Sequence, residues 1–244
     1  MRYAIVSDIH SNLPALKAVL ADAKIIGFDQ VICLGDVVGY GPYPNECLAA
    51  LLAYEIHMIA GNHDWGAIGK ADPLIFNHDA RFALNWTQDT LTPENLALLS
   101  SLPTTKPLND AILLSHGSPR KPVWEYLVDT VSAGANFAMF DFEIALVGHT
   151  HLPLIFERKA SDKVTLMTPD FNEPLPLTGR RLILNPGSVG QPRDMNPKAS
   201  YAILDTGENE WIFRRVSYPV EETQKRMHEL QLPLRLIARL EMGR

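Results

Sequence analysis

The sequence predicts an α/β protein in which helices cover a parallel β-sheet, and its first 60 residues supply the evidence. Three short apolar runs, each typical of a buried strand, alternate there with two segments whose apolar residues recur at helical spacing. This strand–helix–strand–helix–strand order is typical of a parallel sheet with helices on its faces. Functional sites in such sheets form at the carboxyl ends of the strands.

The first strand is predicted at residues 3–6, and a helix follows it from residue 13. Ser11 or Asn12 can cap this helix, and Pro14 suits its first turn. Gly27 can end it. The other elements predicted in this part are a strand at residues 31–34, a helix at 45–54 and a strand at 56–59.

Helices are predicted across residues 66–103, and the last of them starts at Thr92-Pro93-Glu94. A hairpin is predicted next, with its turn at Asn109-Asp110. The later elements are a helix at 131–139, strands at 143–147, 154–158, 164–168 and 181–184, a hairpin of 201–205 with 210–216, and helices from 220 with a break at Pro233. We expect one domain over residues 1–244, with a C-terminal helical extension at about 220–244.

Composition is that of an ordinary globular protein. Hydrophobic residues make up 46% of the chain and charged residues 20%, and the net charge is −6. We therefore expect no broad nucleic-acid surface, and no apolar run reaches the ~20 residues that span a membrane. Cys33 and Cys47 fall in different predicted elements, and no signal-peptide pattern follows Met1, so we expect reduced cysteines and a cytoplasmic protein.

Polar clusters follow five of the predicted strands. Within two clusters the residues are two apart, and along an extended chain such residues point the same way. Carboxylate, imidazole and amide ligands suit Mn, Fe, Co, Zn or Ni. One catalytic ion takes about three protein ligands, so two ions sharing a bridging Asp explain the larger number. The clusters are Asp8/His10, Asp36, Asn62/His63/Asp64, His116 and His149/His151.

Each cluster taken alone has a simpler interpretation. Asn and Asp at strand ends often serve as turn residues, and a single histidine is more often a core or surface residue than a ligand. We predict that simpler role for His57, His78 and His228, which have no polar cluster around them. The joint occurrence of five clusters favours a metal centre.

Together, these residues resemble the calcineurin-like metallophosphoesterases, in the family's order and over roughly residues 1–190. The matching motifs are Asp8-x-His10, Gly35-Asp36, Gly61-Asn62-His63-Asp64, His116 and Gly148-His149-x-His151. The chain is most similar to the small single-domain prokaryotic type. The resemblance implies a two-sheet β-sandwich flanked by helices (αββα). It also implies one metal ion held by Asp8, His10, Asp36 and His151, and a second held by Asp36, Asn62, His116 and His149.

The resemblance implies hydrolysis of phosphoester bonds. Two ions ~3.5–4 Å apart can share one hydroxide that attacks phosphorus, and manganese is our first expectation for both. His63 is expected to donate a proton to the leaving oxygen. Asp64 is expected to orient the His63 ring and to favour its charged form.

The second motif, Asp36-Val37-Val38-Gly39-Tyr40, lacks the further Asp of many family members and the phosphate-holding Arg of the Ser/Thr phosphatases. A cationic clamp helps a doubly charged monoester, so we expect a preference for phosphodiesters over phosphomonoesters. Arg193 either faces the centre as a phosphate contact or pairs with Asp194 at the surface. The predicted substrate contacts are Arg193, Tyr40 and Asn12.

Two alternatives remain open from the sequence. A nucleotide or dinucleoside-polyphosphate hydrolase would need a stacking surface, for which Trp65, Trp124 and Tyr126 are candidates. A non-catalytic scaffold of the same fold would have lost the proton donor or metal ligands, which this chain retains. The oligomeric state is expected to be monomer or homodimer, and the C-terminal helix is expected to pack on its own domain.

Overall fold

The computed structural model describes residues 1–244, and its strands form two six-stranded sheets. The strands are β1 (Arg2–Val6), β2 (Gln30–Cys33), β3 (Ile56–Met58), β4 (Thr105–Pro107), β5 (Ile112–Ser115), β6 (Ile144–Leu146), β7 (Pro153–Arg158), β8 (Val164–Met167), β9 (Pro174–Pro176), β10 (Arg181–Pro186), β11 (Ala199–Asp205) and β12 (Glu210–Val216). The helices are α1 (Leu13–Ile26), α2 (Pro44–Leu52), α3 (Asn62–Ala67), α4 (His78–Thr90), α5 (Pro93–Ser101), α6 (Thr130–Met139), α7 (Val220–Glu229) and α8 (Leu234–Met242), with a short 3₁₀ helix at Pro73–Ile75.

Both sheets are mixed rather than fully parallel. The first has the order β3-β2-β1-β11-β12-β9, and the second has the order β4-β5-β6-β10-β7-β8. The predicted parallel pairing of β1, β2 and β3 is correct. The complete sheet differs from the prediction because the hairpin of β11 and β12 adds to β1 in the antiparallel direction. The short strand β9 was not predicted.

Alternation along the strands creates a layered core. On β1, Tyr3 and Ile5 face a cluster between the sheets, whereas Ala4 and Val6 face the helices. Successive side chains of a strand point to opposite faces, so β1 is buried on both sides. A third cluster packs α6 against the second sheet. The helix–sheet–sheet–helix layering confirms the expected αββα sandwich.

The C-terminal helices pack back on α1, as expected. Met227 on α7 and Leu236 and Ile237 on α8 are buried in the same cluster as Leu16 of α1. Pro233 precedes α8 and separates it from α7. None of the helices has the combined length and apolar character that crossing a membrane requires.

Candidate metal centre

The predicted polar clusters meet where the two sheets come together. Asp8 follows β1, Asp36 follows β2, and Asn62 opens α3 just after β3. The second sheet contributes His116 after β5, together with His149 and His151 after β6. All of these residues are buried. Strand ends from two sheets therefore bring distant parts of the chain to one point.

The backbone at this point is not extended, so our reason for pairing residues two apart was wrong. Asp8 has φ 52°, His10 φ 48°, His149 φ 66° and His151 φ 60°. Each residue other than glycine that adopts left-handed backbone angles costs ~1–3 kcal/mol of strain. Surrounding hydrogen bonds hold this conformation, including Asp8 N to Gly35 O at 3.1 Å. The pairs converge because the chain turns sharply after each strand.

The first potential metal group is Asp8, His10 and His151. Each imidazole donates from Nδ1 to a backbone carbonyl, His10 to Val38 O at 3.1 Å and His151 to Gln191 O at 2.5 Å. Burial holds the pKa of both rings well below the ordinary value, so both Nε2 atoms carry lone pairs. These two atoms are 3.0 Å apart. Two lone pairs at this distance repel each other, and a shared cation would remove the conflict.

Asp36 stands between this group and the next. Its Oδ1 accepts a hydrogen bond from the backbone N of His63 at 2.8 Å. Its Oδ2 is buried without a hydrogen-bond partner. That atom lies 3.7 Å from His10 Nε2 and 3.3 Å from His116 Nε2. A buried carboxylate oxygen that makes no hydrogen bond and lies between two imidazoles suits a bridging ligand.

The second potential metal group is Asp36, His116 and His149. His116 Nδ1 donates to Leu34 O at 2.7 Å, which turns Nε2 toward the centre. Asn62 Oδ1 lies 3.2 Å from that Nε2. His149 Nε2 is buried without a partner. This group therefore also offers atoms that a cation would satisfy.

Several ionisable groups of the centre hold protons in the metal-free protein. Burial raises the pKa of Asp8 to about 7. Burial opposes ionisation of Asp36 as well, but the nearby His116 and His63 hold its pKa well below the usual range. Asp36 in turn outweighs burial and raises the pKa of His116 to about 9. Metal binding at such a site releases protons, because the ligands must be deprotonated.

Gly61 is required at this centre by close packing and not by its backbone angles. Its φ of −99° lies in the extended region, so special backbone angles are not needed. A Cβ atom here would overlap the Oδ1 atom and backbone N of Asp36. Glycine is needed because the two segments approach so closely.

Asp64 does not orient the His63 ring, and this part of the prediction was wrong. Its carboxylate accepts three backbone hydrogen bonds, from Asp36 N at 2.8 Å, Gly61 N at 2.9 Å and Val38 N at 3.2 Å. As the third residue of α3, Asp64 folds back onto the helix N-terminus, where backbone N–H groups lack helical partners. It therefore holds together the two loops that carry Asp36 and His63.

The His63 ring packs in tilted and edge-to-face contacts with neighbouring rings and makes no side-chain hydrogen bond. Its centroid lies 4.3 Å from that of Tyr40, 4.9 Å from that of His10 and 5.1 Å from that of Phe76. Nδ1 is buried without a partner. Burial lowers the pKa of His63 to about 4, so the expected charged form is wrong for the free protein. The ring also lies close enough to His10 and Asp36 to form a third potential metal group.

Arg193 faces inward, which decides between the two orientations left open by the sequence. Its Nη2 donates to Gln191 Oε1 at 3.0 Å and to Tyr40 Oη at 3.4 Å. Asp194 pairs with Arg215 instead. Burial and, next, the charge of Arg193 hold the pKa of His151 well below its ordinary value. A guanidinium therefore acts on the centre, with Tyr40 beside it.

Asn12 is a structural residue rather than a substrate contact. Its Oδ1 accepts from Ala15 N at the start of α1 and from Thr223 Oγ1 of α7. Its Nδ2 donates to Gly190 O and to Tyr218 Oη. With the side chain buried and its donors and acceptor engaged, a substrate could bind it only by breaking these contacts.

The three candidate stacking residues separate into two environments. Trp65 packs against the helix-covered core. Trp124 and Tyr126 line a cavity of about 490 Å³ next to His63 and His149. Phe76 also lines it, and the sequence analysis did not single out this residue, because it fell within the predicted helical stretch 66–103 and carries no motif. His57, His78 and His228 belong to none of the potential metal groups, as predicted.

Comparison with known proteins assigns the family. The model of the calcineurin-like phosphoesterase superfamily domain matches residues 1–209. The chain belongs to this superfamily. Members are metal-dependent, and the buried His and Asp groups of this phosphoesterase-family chain are able to bind metal.

Individual relatives cover nearly the whole chain. A metallophosphoesterase structure from Sphaerobacter thermophilus has a TM-score of 0.91 and 43% identity, covering 100% of this chain and 99% of its own. The uncharacterised protein MJ0912 of Methanocaldococcus jannaschii is 38% identical over 99% of this chain and 98% of its own length. The phosphodiesterase YfcE of Escherichia coli is 28% identical over 84% of this chain and 88% of its own length.

Proposed function

We propose that this phosphoesterase-family protein hydrolyses phosphodiesters in preference to phosphomonoesters, with two divalent metal ions at its centre. The unpaired, buried Oδ2 atom of Asp36 carries the proposal, because it lies between His10 Nε2 and His116 Nε2. Such a position serves one carboxylate that two cations share.

Manganese is our first expectation, and the carboxylate, imidazole and amide donors are equally compatible with iron, zinc, cobalt or nickel. When bound, the two ions would lower the pKa of a water molecule and offset the charge on the phosphoryl oxygens. One ion would be held by Asp8, His10, Asp36 and His151, and the other by Asp36, Asn62, His116 and His149.

His63 would donate the proton that the leaving oxygen takes up. Its Nδ1 is buried, so Nε2 is the atom that would carry the proton toward the adjoining cavity. The ring is neutral in the free protein, because burial lowers its pKa to about 4. A bound phosphoryl anion favours the charged imidazole, so substrate itself would raise this pKa.

The preference for diesters rests on the charge available to the substrate. The second motif provides no arginine after Asp36, and YfcE, a relative at 28% identity, is named a phosphodiesterase. Phosphomonoester hydrolysis is the second candidate, because the inward Arg193 adds one cation beside the centre.

The test compares bis-p-nitrophenyl phosphate with p-nitrophenyl phosphate on manganese-loaded protein. We expect a higher kcat/KM for the diester in the wild type and a larger diester preference in Arg193→Ala. Arg226→Ala removes an exposed arginine of α7 and serves as the control. A clear monoester preference that collapses in Arg193→Ala would overturn the diester assignment. No hydrolysis of either ester would favour a non-catalytic scaffold.

A further inference from the structure

An aromatic cavity of about 490 Å³ opens beside the metal centre. Phe76, Trp124 and Tyr126 line it, together with His63 and His149 from the centre itself. Cavities of ~300–1,000 Å³ are typical of small-molecule sites. The cavity is therefore large enough for a substantial part of a substrate whose phosphoryl group lies at the centre.

The aromatic side chains of the cavity pack against two histidines of the metal centre. The Phe76 ring lies 5.1 Å from that of His63, and the Trp124 ring lies 6.2 Å from that of Phe76. Tyr126 packs at 3.9 Å against His149. Trp124 is 38% exposed and Tyr126 is 52% exposed. Large aromatic side chains left open beside a buried polar centre are typical of a ligand surface.

Internal hydrogen bonds and an ion pair hold the loop that carries Trp124 and Tyr126. Between Trp124 and Tyr126, the carboxylate of Glu125 turns inward and accepts from Ser118 Oγ at 2.5 Å and from Asn136 Nδ2 at 3.0 Å. Arg120 forms an ion pair with the same carboxylate. Because these bonds are made within the protein, little ordering of the loop remains to be done when a ligand binds.

We propose that this cavity binds the leaving group of the substrate and that this leaving group carries a nucleobase. The inference rests on the proposed function, in which His63 gives its proton to the leaving oxygen. His63 borders the aromatic cavity, whereas Arg193 lies outside it. Water supplies the new P–O bond, the P–O bond to the nucleoside breaks, and the proton from His63 completes the nucleoside hydroxyl.

The lining favours a nucleobase over a charged or aliphatic group. No Lys, Arg, Asp or Glu lines the cavity, and the guanidinium of Arg193 lies outside it, where it donates to Tyr40 Oη. The lining itself therefore favours an uncharged part of the ligand. Flat aromatic faces stack on any base. Asn77 also lines the cavity, and its side-chain oxygen is used by Ala80 N, which leaves the amide NH₂ to meet a base edge.

The kinetic test compares two diesters. One is adenosine 5′-methylphosphate, and the other is the 5′-methylphosphate of methyl riboside, which has a methoxy group in place of the base. Manganese-loaded wild type is expected to prefer the adenosine ester and to release adenosine and methyl phosphate. Trp124→Ala should lower kcat/KM for the adenosine ester about tenfold to a hundredfold, the effect of one lost base–aromatic stack. Its kcat/KM for the riboside ester should fall much less than that for the adenosine ester, and Trp124→Phe should retain most of the preference.

Tyr54→Ala is the matched control, because Tyr54 is a partly exposed aromatic residue outside the cavity that stacks on Phe28. Release of AMP and methanol would overturn the placement of the leaving group. A hexyl methyl phosphate equally dependent on Trp124 would make the cavity a general apolar site and overturn the nucleobase assignment.

Binding without turnover separates this inference from the proposed function. Adenosine titrated into metal-free protein should quench tryptophan fluorescence in the wild type and much less in Trp124→Ala. If bis-p-nitrophenyl phosphate is hydrolysed but adenosine neither quenches nor confers any preference, the inference is wrong and the proposed function stands. If adenosine quenches but no phosphoester is hydrolysed, the proposed function fails and the cavity remains a nucleoside site.

Discussion

Replacement of Asp64 by alanine should destabilise the whole protein rather than selectively impair proton transfer. The fully buried carboxylate accepts three backbone hydrogen bonds, from the N atoms of Asp36, Val38 and Gly61. Bonds to a charged acceptor contribute ~1.5–3 kcal/mol each, and part of that gain offsets the burial of the charge. Alanine leaves three buried N–H groups without an acceptor, at ~1–3 kcal/mol each. It also removes a charge that burial disfavours, since the pKa of Asp64 is raised. We therefore expect a net loss of roughly 2–4 kcal/mol.

The measurement is chemical denaturation of metal-free protein at pH 8. This pH lies above the value of about 7 to which burial and the nearby Asp36 charge raise the pKa of Asp64. Asp64→Asn keeps one acceptor oxygen and should lose an intermediate amount. Asp129→Ala is the control, because this exposed carboxylate accepts two backbone bonds at the start of α6. Its loss should be about 1 kcal/mol, as for other N-caps.

The result that would refute this reasoning is an Asp64→Ala protein within 1 kcal/mol of wild type whose turnover still falls steeply. Such a protein would show that Asp64 acts on the chemistry, through His63, rather than on the loops. Loss of metal binding together with stability would agree with our reading, because the bond to Asp36 N fixes the proposed bridging ligand.

Three further predictions concern single side chains. Asp36→Asn should lower the metal content measured by elemental analysis at both sites, and full retention would exclude a bridging role. His63→Asn should lose ~10²–10⁴-fold in kcat on alkyl leaving groups and less on nitrophenolate, with metal content intact; equal losses would indicate a positional role. Glu157, whose pKa is held below its usual value by Arg180 and then Lys159, should contribute about 1 kcal/mol above pH 4.5. The contribution should vanish as the pH falls through the lowered pKa, so wild type and Glu157→Gln should converge in acid denaturation.

The sequence alone determined most of the helices and strands and the place of the site. Apolar periodicity and capping residues are local signals, which is why Thr92 and Pro93 correctly marked the start of α5. A motif that directly follows a buried strand lies at the end of that strand. The sequence therefore predicted correctly that Asp8 and Asp36, which follow neighbouring parallel strands, lie at the same edge of the sheet. The resemblance to the family then predicted the second sheet, which apolar periodicity alone did not predict.

Only the tertiary structure decided what several polar and aromatic side chains do. Arg193 and Tyr40 are 153 positions apart and meet at the centre. Trp124 and Phe76 are also distant in sequence, and the fold brings their rings together. A side chain's partner depends on which segments the sheets bring together, and single-sequence patterns carry no information about such distant contacts. The role of Asp64 was also not readable from the sequence, because its carboxylate accepts from backbone N–H groups that only the folded loops bring close to it.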